Sequence, residues 1–179
     1  MATAQEIIRK AASFIGVTED PKGSNNVPFV IDYFGYLPPT AATSAPWCVI
    51  YVWDVFRMCG ASRILYNGNK VGSCTVLWRW AQAEGRCVND PKPGDLVLLD
   101  WNSDQTADHI GIIEAVNGDK LTTIEGNCDD AVKRTTRNKA QAIAYIRPAY
   151  DNEPAQVICN AQNCPILKYC QRIINKEES

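Results

Sequence analysis

Pro46-Trp47-Cys48-Val49-Ile50-Tyr51-Val52-Trp53-Asp54-Val55-Phe56-Arg57-Met58-Cys59-Gly60 is the stretch whose reading decides the fold. Proline is preorganised for the first turn of a helix and lacks the N–H that would go unpaired there, and glycine suits the residue that ends one. Residues 47–58 are therefore expected to be helical. Val49, Ile50, Tyr51, Val52, Trp53, Val55, Phe56 and Met58 occupy every side of that helix, and a helix without a polar face belongs in the centre of a domain. Cys48 enters in its first turn, where free backbone amides and the helix dipole favour an anion and draw a thiol towards the nucleophilic thiolate. Cys74, near the start of a later helix, is the second choice for a reactive thiol.

Upstream, Thr3-x-x-Glu6 has the form of a capping box opening a helix that runs to about Phe14. Its inner face is either Ile7, Ala11 and Phe14 or Ile8, Ala12 and Ile15. Residues 19–28 are rich in turn formers, and residues 29–34 add one helical turn or two. Downstream, residues 73–84 form a further helix closed by Gly85. Past Pro91-Lys92-Pro93-Gly94 the pattern changes to β-rich runs at 95–101, 109–116, 121–125 and 142–147. Helices first and strands afterwards predict an α+β domain, with an antiparallel sheet packed on the central helix. The main domain is expected over residues 1–150. Residues 151–179 are a short C-terminal extension of unassigned role, helical near its end.

Composition narrows the function. A net charge of −2 and a pI near 5.4 argue against nucleic acid or anionic membrane as partner. No run approaches the ~20 apolar residues of a membrane span, so no membrane insertion is expected. The first residues lack a basic segment followed by an apolar one, which predicts synthesis in the cytoplasm without a signal peptide. The eight cysteines contain no Cys-x-x-Cys pair, so most read as small buried side chains and no metal site is expected. A zinc site formed by Cys128, Cys159, Cys164 and Cys170 is a minority reading, with a late disulfide beside it. Glu19, Asp20 and Asp32 lack the alternating acidic pattern of a calcium loop. No cofactor is expected, and no feature sets an oligomeric state.

The chain has a single histidine, His109, so any thiol chemistry needing an imidazole must use it. Asn117-Gly118-Asp119 reads as a hairpin tip. A three-residue loop pairs Val116 with Lys120, sets Gly111 opposite Glu125 and His109 opposite Asn127, and turns His109, Glu125 and Asn127 to one face. A two-residue loop would send Glu125 to the other face. The first register makes chemical sense: Glu125 or Asn127 orients the imidazole while its other nitrogen faces Cys48.

Pro46-Trp47-Cys48 heading an apolar helix, Pro93-Gly94-Asp95-Leu96-Val97 before a strand, Asp108-His109-Ile110-Gly111-Ile112-Ile113 and Ile124-Glu125-Gly126-Asn127, in this order, resemble the CHAP family, the cysteine- and histidine-dependent amidohydrolases/peptidases. The resemblance covers about residues 3–148. It implies a papain-like fold and hydrolysis of an amide bond of bacterial peptidoglycan, as an N-acetylmuramoyl-L-alanine amidase or a stem or cross-bridge endopeptidase. Carried over by position, Cys48 is nucleophile, His109 base, Glu125 its orienting partner and Asn127 an accessory polar residue. Asn25 and Asn26, in a Gly-Ser-Asn-Asn segment similar to one found upstream of the cysteine, are expected to shape the substrate groove. Asp108, beside the base, is a further substrate-binding candidate, and Trp47 and Trp101 are the aromatic candidates for the cleft wall. The partner implied is cell-wall peptidoglycan, reached after release or injection, as by a phage lysin. A non-catalytic wall-binding module of the same fold, and a thiol peptidase or deamidase acting on protein, are the alternatives.

Overall fold

The computed structural model describes residues 2–35 and 46–150. The expected C-terminal extension, with Cys159, Cys164 and Cys170, lies outside the described residues. The first helix, α1 (Ala4–Ala12), is opened by Thr3 in the predicted capping box: Glu6 N–H donates to Thr3 Oγ1 at 3.3 Å, and Thr3 N–H to Glu6 Oε2 at 2.7 Å. Ile7, Ile8 and Ala11 are all buried, so the helix sinks parts of both candidate faces, while Ile15 turns outward. α2 (Pro28–Phe34) begins on a proline and ends at Gly35 in the left-handed conformation. α3 (Cys48–Met58) is buried from Cys48 through Phe56, as its all-round apolar sequence requires. α4 (Cys74–Ala83) is capped by the Ser73 side chain.

The strands β1 (Cys87–Val88), β2 (Leu96–Leu99), β3 (His109–Asn117), β4 (Lys120–Glu125), β5 (Lys133–Asn138) and β6 (Ala142–Ile146) form one antiparallel sheet in the order β1-β6-β2-β3-β4-β5. One face packs on α3 through Leu96, Leu98, Ile110, Ile112, Ile124 and Ile146. The opposite face carries a smaller cluster of Val97, Leu99, Ile113 and Leu121, which explains why β2 is apolar along its whole length. The fold is thus α+β, with the papain-like arrangement of a central helix on an antiparallel sheet. Two strands escape the sequence pattern. β1 is only two residues long, and β5 (Lys-Arg-Thr-Thr-Arg-Asn) has no apolar residue, being an edge strand held by a six-pair ladder to β4.

The β3–β4 hairpin corrects the predicted turn. Asn117 pairs with Lys120 and Val116 with Leu121, so the loop is the two residues Gly118 and Asp119 rather than three. Taken alone, that would put Glu125 on the wrong face. A β-bulge between Ile113 and Ala115 absorbs the extra residue: below it Ile113 pairs with Thr123 and Ile112 with Ile124. Gly111 therefore still lies against Glu125, and a Cβ at Gly111 would come within 2.8 Å of Glu125 Cγ.

An aromatic cluster joins the start of α3 to the rest. Phe29 meets Phe14 edge-on at 5.1 Å and Tyr51 at 5.0 Å, and stacks on Trp47 at 5.8 Å. Tyr51 Oη donates to the Ala11 carbonyl at 2.9 Å, anchoring α3 to α1. Directly after β4, Gly126 passes over the same cluster so closely that a Cβ there would sit 2.5 Å from Tyr51 Cβ and 2.8 Å from the Trp47 ring. That approach brings the end of β4 to the start of α3. Gly126→Ala is expected to lower the free energy of unfolding by about 1–3 kcal/mol, whereas Gly72→Ala, whose Cβ would meet only ordinary contacts, should stay within about 0.5 kcal/mol of the parent. Urea denaturation of the two variants checks the difference.

Candidate active site

The start of α3 is fixed from the loop that precedes α2. Glu19, buried, accepts a hydrogen bond from Trp47 Nε1 at 2.7 Å and another from the Asn25 N–H at 2.8 Å. One carboxylate thus ties both the residue before Cys48 and the Asn25-Asn26 turn to a single point. Cys48 follows as the first residue of α3, its side chain only 3% exposed and bonded by its neighbour's backbone, Val49 N–H.

Two further elements converge on this sulfur. His109 opens β3 and Cys74 opens α4, and both side chains act on the Cys48 thiol, drawing it towards the thiolate. On its far side the imidazole Nε2 lies 3.0 Å from Glu125 Oε2, which leaves Nδ1 for the thiol. Glu125 is completely buried and accepts three further hydrogen bonds, from Thr123 Oγ1 at 2.6 Å and from Arg137 Nε at 2.9 Å and Nη2 at 2.6 Å. Arg137 also lies with its guanidinium 4.8 Å from the centre of the Trp101 ring, and the Trp101 ring centre is 5.9 Å from that of His109.

These contacts set the ionisation states. The Cys74 hydrogen bond is the largest influence on Cys48, and it outweighs burial; with His109 and Val49 it pulls the thiol well below its usual range. Cys74 moves the opposite way, kept protonated by its bond to Cys48 and by burial. Burial alone would depress His109, but hydrogen bonds to Cys48 and Glu125 raise it to about 9. Burial likewise opposes ionisation of Glu125, yet the Arg137, His109 and Thr123 bonds bring its carboxyl down to about 2. At neutral pH the site therefore holds a thiolate, an imidazolium and a carboxylate in line.

Beside His109 a cleft of about 340 Å³ opens, lined by Trp101, His109, Asn127, Cys128, Asp129 and Arg137. Trp101 is 47% exposed there, and its backbone N–H donates to Asp108 Oδ2 at 2.8 Å, so Asp108 holds the loop that carries the ring. Asn127 lies just past the end of β4, in a left-handed conformation.

The family model for the CHAP domain matches residues 40–127. Residues 40–127 belong to the CHAP family. Cys48, His109, Glu125 and Asn127 all fall inside the CHAP domain match, and Arg137 falls outside it. Two solved structures are similar to the chain: the crystal structure of Ly7917, 21% identical with a TM-score of 0.49, and that of Ly7917 with the hydrolyzing product of MDP, 20% identical with a TM-score of 0.46. Each match covers 82% of this chain, which spans only 63% of the length of those structures. No curated protein matches the chain in sequence.

Of the residues singled out from the CHAP domain sequence, Cys48, His109 and Glu125 come together, and Asn127 and Trp101 meet in the cleft with His109. Trp47 requires correction as a cleft-wall candidate. It is fully buried, because its indole N–H is spent on Glu19 and its ring on Phe29. Asn26 is engaged within its own turn, its Nδ2 donating to the Asp20 carbonyl at 2.8 Å. Thr123 and Arg137 were not anticipated. Thr123 shares a face with Glu125 two residues away, a period-two signal present in the sequence, whereas Arg137 sits on the strand that no apolar pattern marks. Among the described residues no group of three His, Cys, Asp or Glu side chains could hold a metal ion.

The dominance of Cys74 over Cys48 yields a test. In Cys74→Ala, the pH midpoint for iodoacetamide alkylation at Cys48, followed by peptide mass spectrometry, is expected to move upward. An unmoved midpoint would show that the Cys74 thiol does not hold the thiolate.

Proposed function

We propose that this CHAP domain hydrolyses an amide bond of bacterial peptidoglycan, with Cys48 as nucleophile. The observation that carries this reading is the pairing of His109 with the buried Glu125 carboxylate at 3.0 Å beside an open cleft, with Cys48 drawn towards the thiolate by that imidazole, joined to the family match of the segment that bears them. Thiolate, imidazolium and buried carboxylate are the components of acyl transfer.

The Cys48 thiolate attacks the carbonyl carbon and forms a C–S bond, and the displaced electron pair makes an oxyanion. The free N–H groups of the first turn of α3, that of Cys48 among them, are the donors placed to receive it. Imidazolium His109 delivers its proton to the amine nitrogen as the C–N bond breaks, leaving a thioester. A water then gives its proton to the neutral imidazole and attacks the same carbon. The C–S bond breaks, the acid product leaves, and Cys48 returns as thiolate with His109 protonated. Glu125 stays ionised throughout and keeps the ring oriented. Trp101 and Asn127 face the part of the substrate nearest His109, which is the departing amine. The bond is either muramoyl–alanine or one within the stem peptide or cross-bridge.

Turbidity loss of purified cell walls, followed by mass analysis of the released muropeptides, tests the reading. New peptide amino termini with free muramic carboxyls are expected for an amidase, and new termini within peptides for an endopeptidase. Cys48→Ala and His109→Ala are each expected to lose activity by ~10³-fold or more. Unchanged clearing by Cys48→Ala, or cleavage of a protein panel without any wall product, would overturn the assignment.

The pH profile follows from the ionisation states. The thiolate is present above the depressed pKa of Cys48, and the imidazolium persists until pH rises through about 9. The rate is therefore expected to be bell-shaped, rising on the acid side below neutrality and falling near pH 9.

A further inference from the structure

Arg137 lies ten residues beyond the CHAP domain match, on the all-polar edge strand β5. A surface role would be the ordinary expectation, and its strand neighbour Arg134 has one: it forms a two-bonded pair with Glu114 in which the arginine is half-exposed. Arg137 differs. Its Nε and Nη2 both turn inward to Glu125, whose carboxylate is wholly buried, Nη2 also reaches Cys128 Sγ at 3.5 Å, and the guanidinium carbon sits over the Trp101 ring, 4.8 Å from its centre. Among the described residues, the groups bonded to Glu125 are Arg137 from β5, His109 from β3 and Thr123 on its own strand, with the Cys128 thiol the further titratable group that feels its charge. One cation therefore touches both the carboxylate that orients the imidazole and the aromatic wall of the cleft.

We propose that Arg137 is a positioning residue of the hydrolytic reaction, clamping Glu125 and the Trp101 wall into one rigid unit around His109. The proposal rests on the hydrolase reading above. A buried carboxylate held by a planar fork keeps a single orientation, and the imidazole bonded to it inherits that orientation. Lysine, a point charge without a plane, could preserve the ionisation of Glu125 but neither the two-bonded geometry nor the stack on Trp101. Nε and Nη2 are engaged with Glu125 and Nη1 is left towards the cleft that Arg137 helps to line, so the double-variant comparison below separates positioning from a direct substrate contact.

The test compares Arg137→Met, Arg137→Lys, Glu125→Gln, the double variant Arg137→Met/Glu125→Gln, and Arg134→Met as the surface control. Two readouts are followed: turnover of solubilised cell-wall fragments, and the pH profile of Cys48 alkylation by iodoacetamide, which needs no substrate. Arg137→Met is expected to lower kcat on the order of a hundredfold, as for a misplaced catalytic group, and to move the Cys48 alkylation midpoint upward. Arg137→Lys should recover only part of both, and Arg134→Met should match the parent. In the Glu125→Gln background, Arg137→Met should cost less than about threefold further in kcat, because residues acting as one unit are not additive. Additive losses would reveal a direct substrate contact and overturn the proposal, as would parental kcat and alkylation in Arg137→Lys. Arg137→Lys carries the test if Arg137→Met does not fold. Walls left intact by the parent, with alkylation still shifted in the Arg137 variants, would reject the hydrolase reading and leave the clamp standing.

Discussion

A carboxylate with no exposure to water governs the design of this molecule. Burying an isolated charge costs several kcal/mol even after relaxation, and Glu125 is tolerable in the core only because four hydrogen bonds from three neighbours surround it. Each neighbour imposes a demand on the fold. His109 must open β3, Thr123 must precede Glu125 by two on the same face, Gly111 must lack a side chain, and an edge strand must exist to present Arg137. The last demand gives a reason for β5, which has no apolar surface of its own to contribute.

The other half of the site is built on the start of α3, and magnitudes decide what activates its thiol. Helix-end charge stabilisation is worth about 0.3–1 kcal/mol, less than the ~1.4 kcal/mol that moves a pKa by one unit. The sequence reading emphasised that helix-terminal field. Cys74 and then His109 act on the thiol besides that field, and together they outweigh its burial. Cys74, the second candidate nucleophile by sequence, is instead the protonated neighbour of the first.

How much could be read in advance depended on whether a feature is local. The capping box at Thr3, the buried α3, the place of Cys48 at its start and the pairing of His109 with Glu125 follow from spacing within one element or one hairpin, and all are present. Trp47 misled because an indole beside a nucleophile looks the same in sequence whether its N–H meets a ligand or a glutamate twenty-eight residues away. β5 and Arg137 were illegible because an edge strand earns its place through backbone ladder bonds and one long side chain, neither of which leaves an alternating apolar trace. The hairpin is the instructive case: the expected face was correct and the expected turn was not, because a bulge compensated.

That compensation makes two geometries of the hairpin equivalent for the site. A two-residue tip with Glu114 bulged out, and a three-residue tip on a regular ladder, both set Gly111 against Glu125, so the spare residue could move between the strand and the tip without turning His109 or Glu125 away from each other.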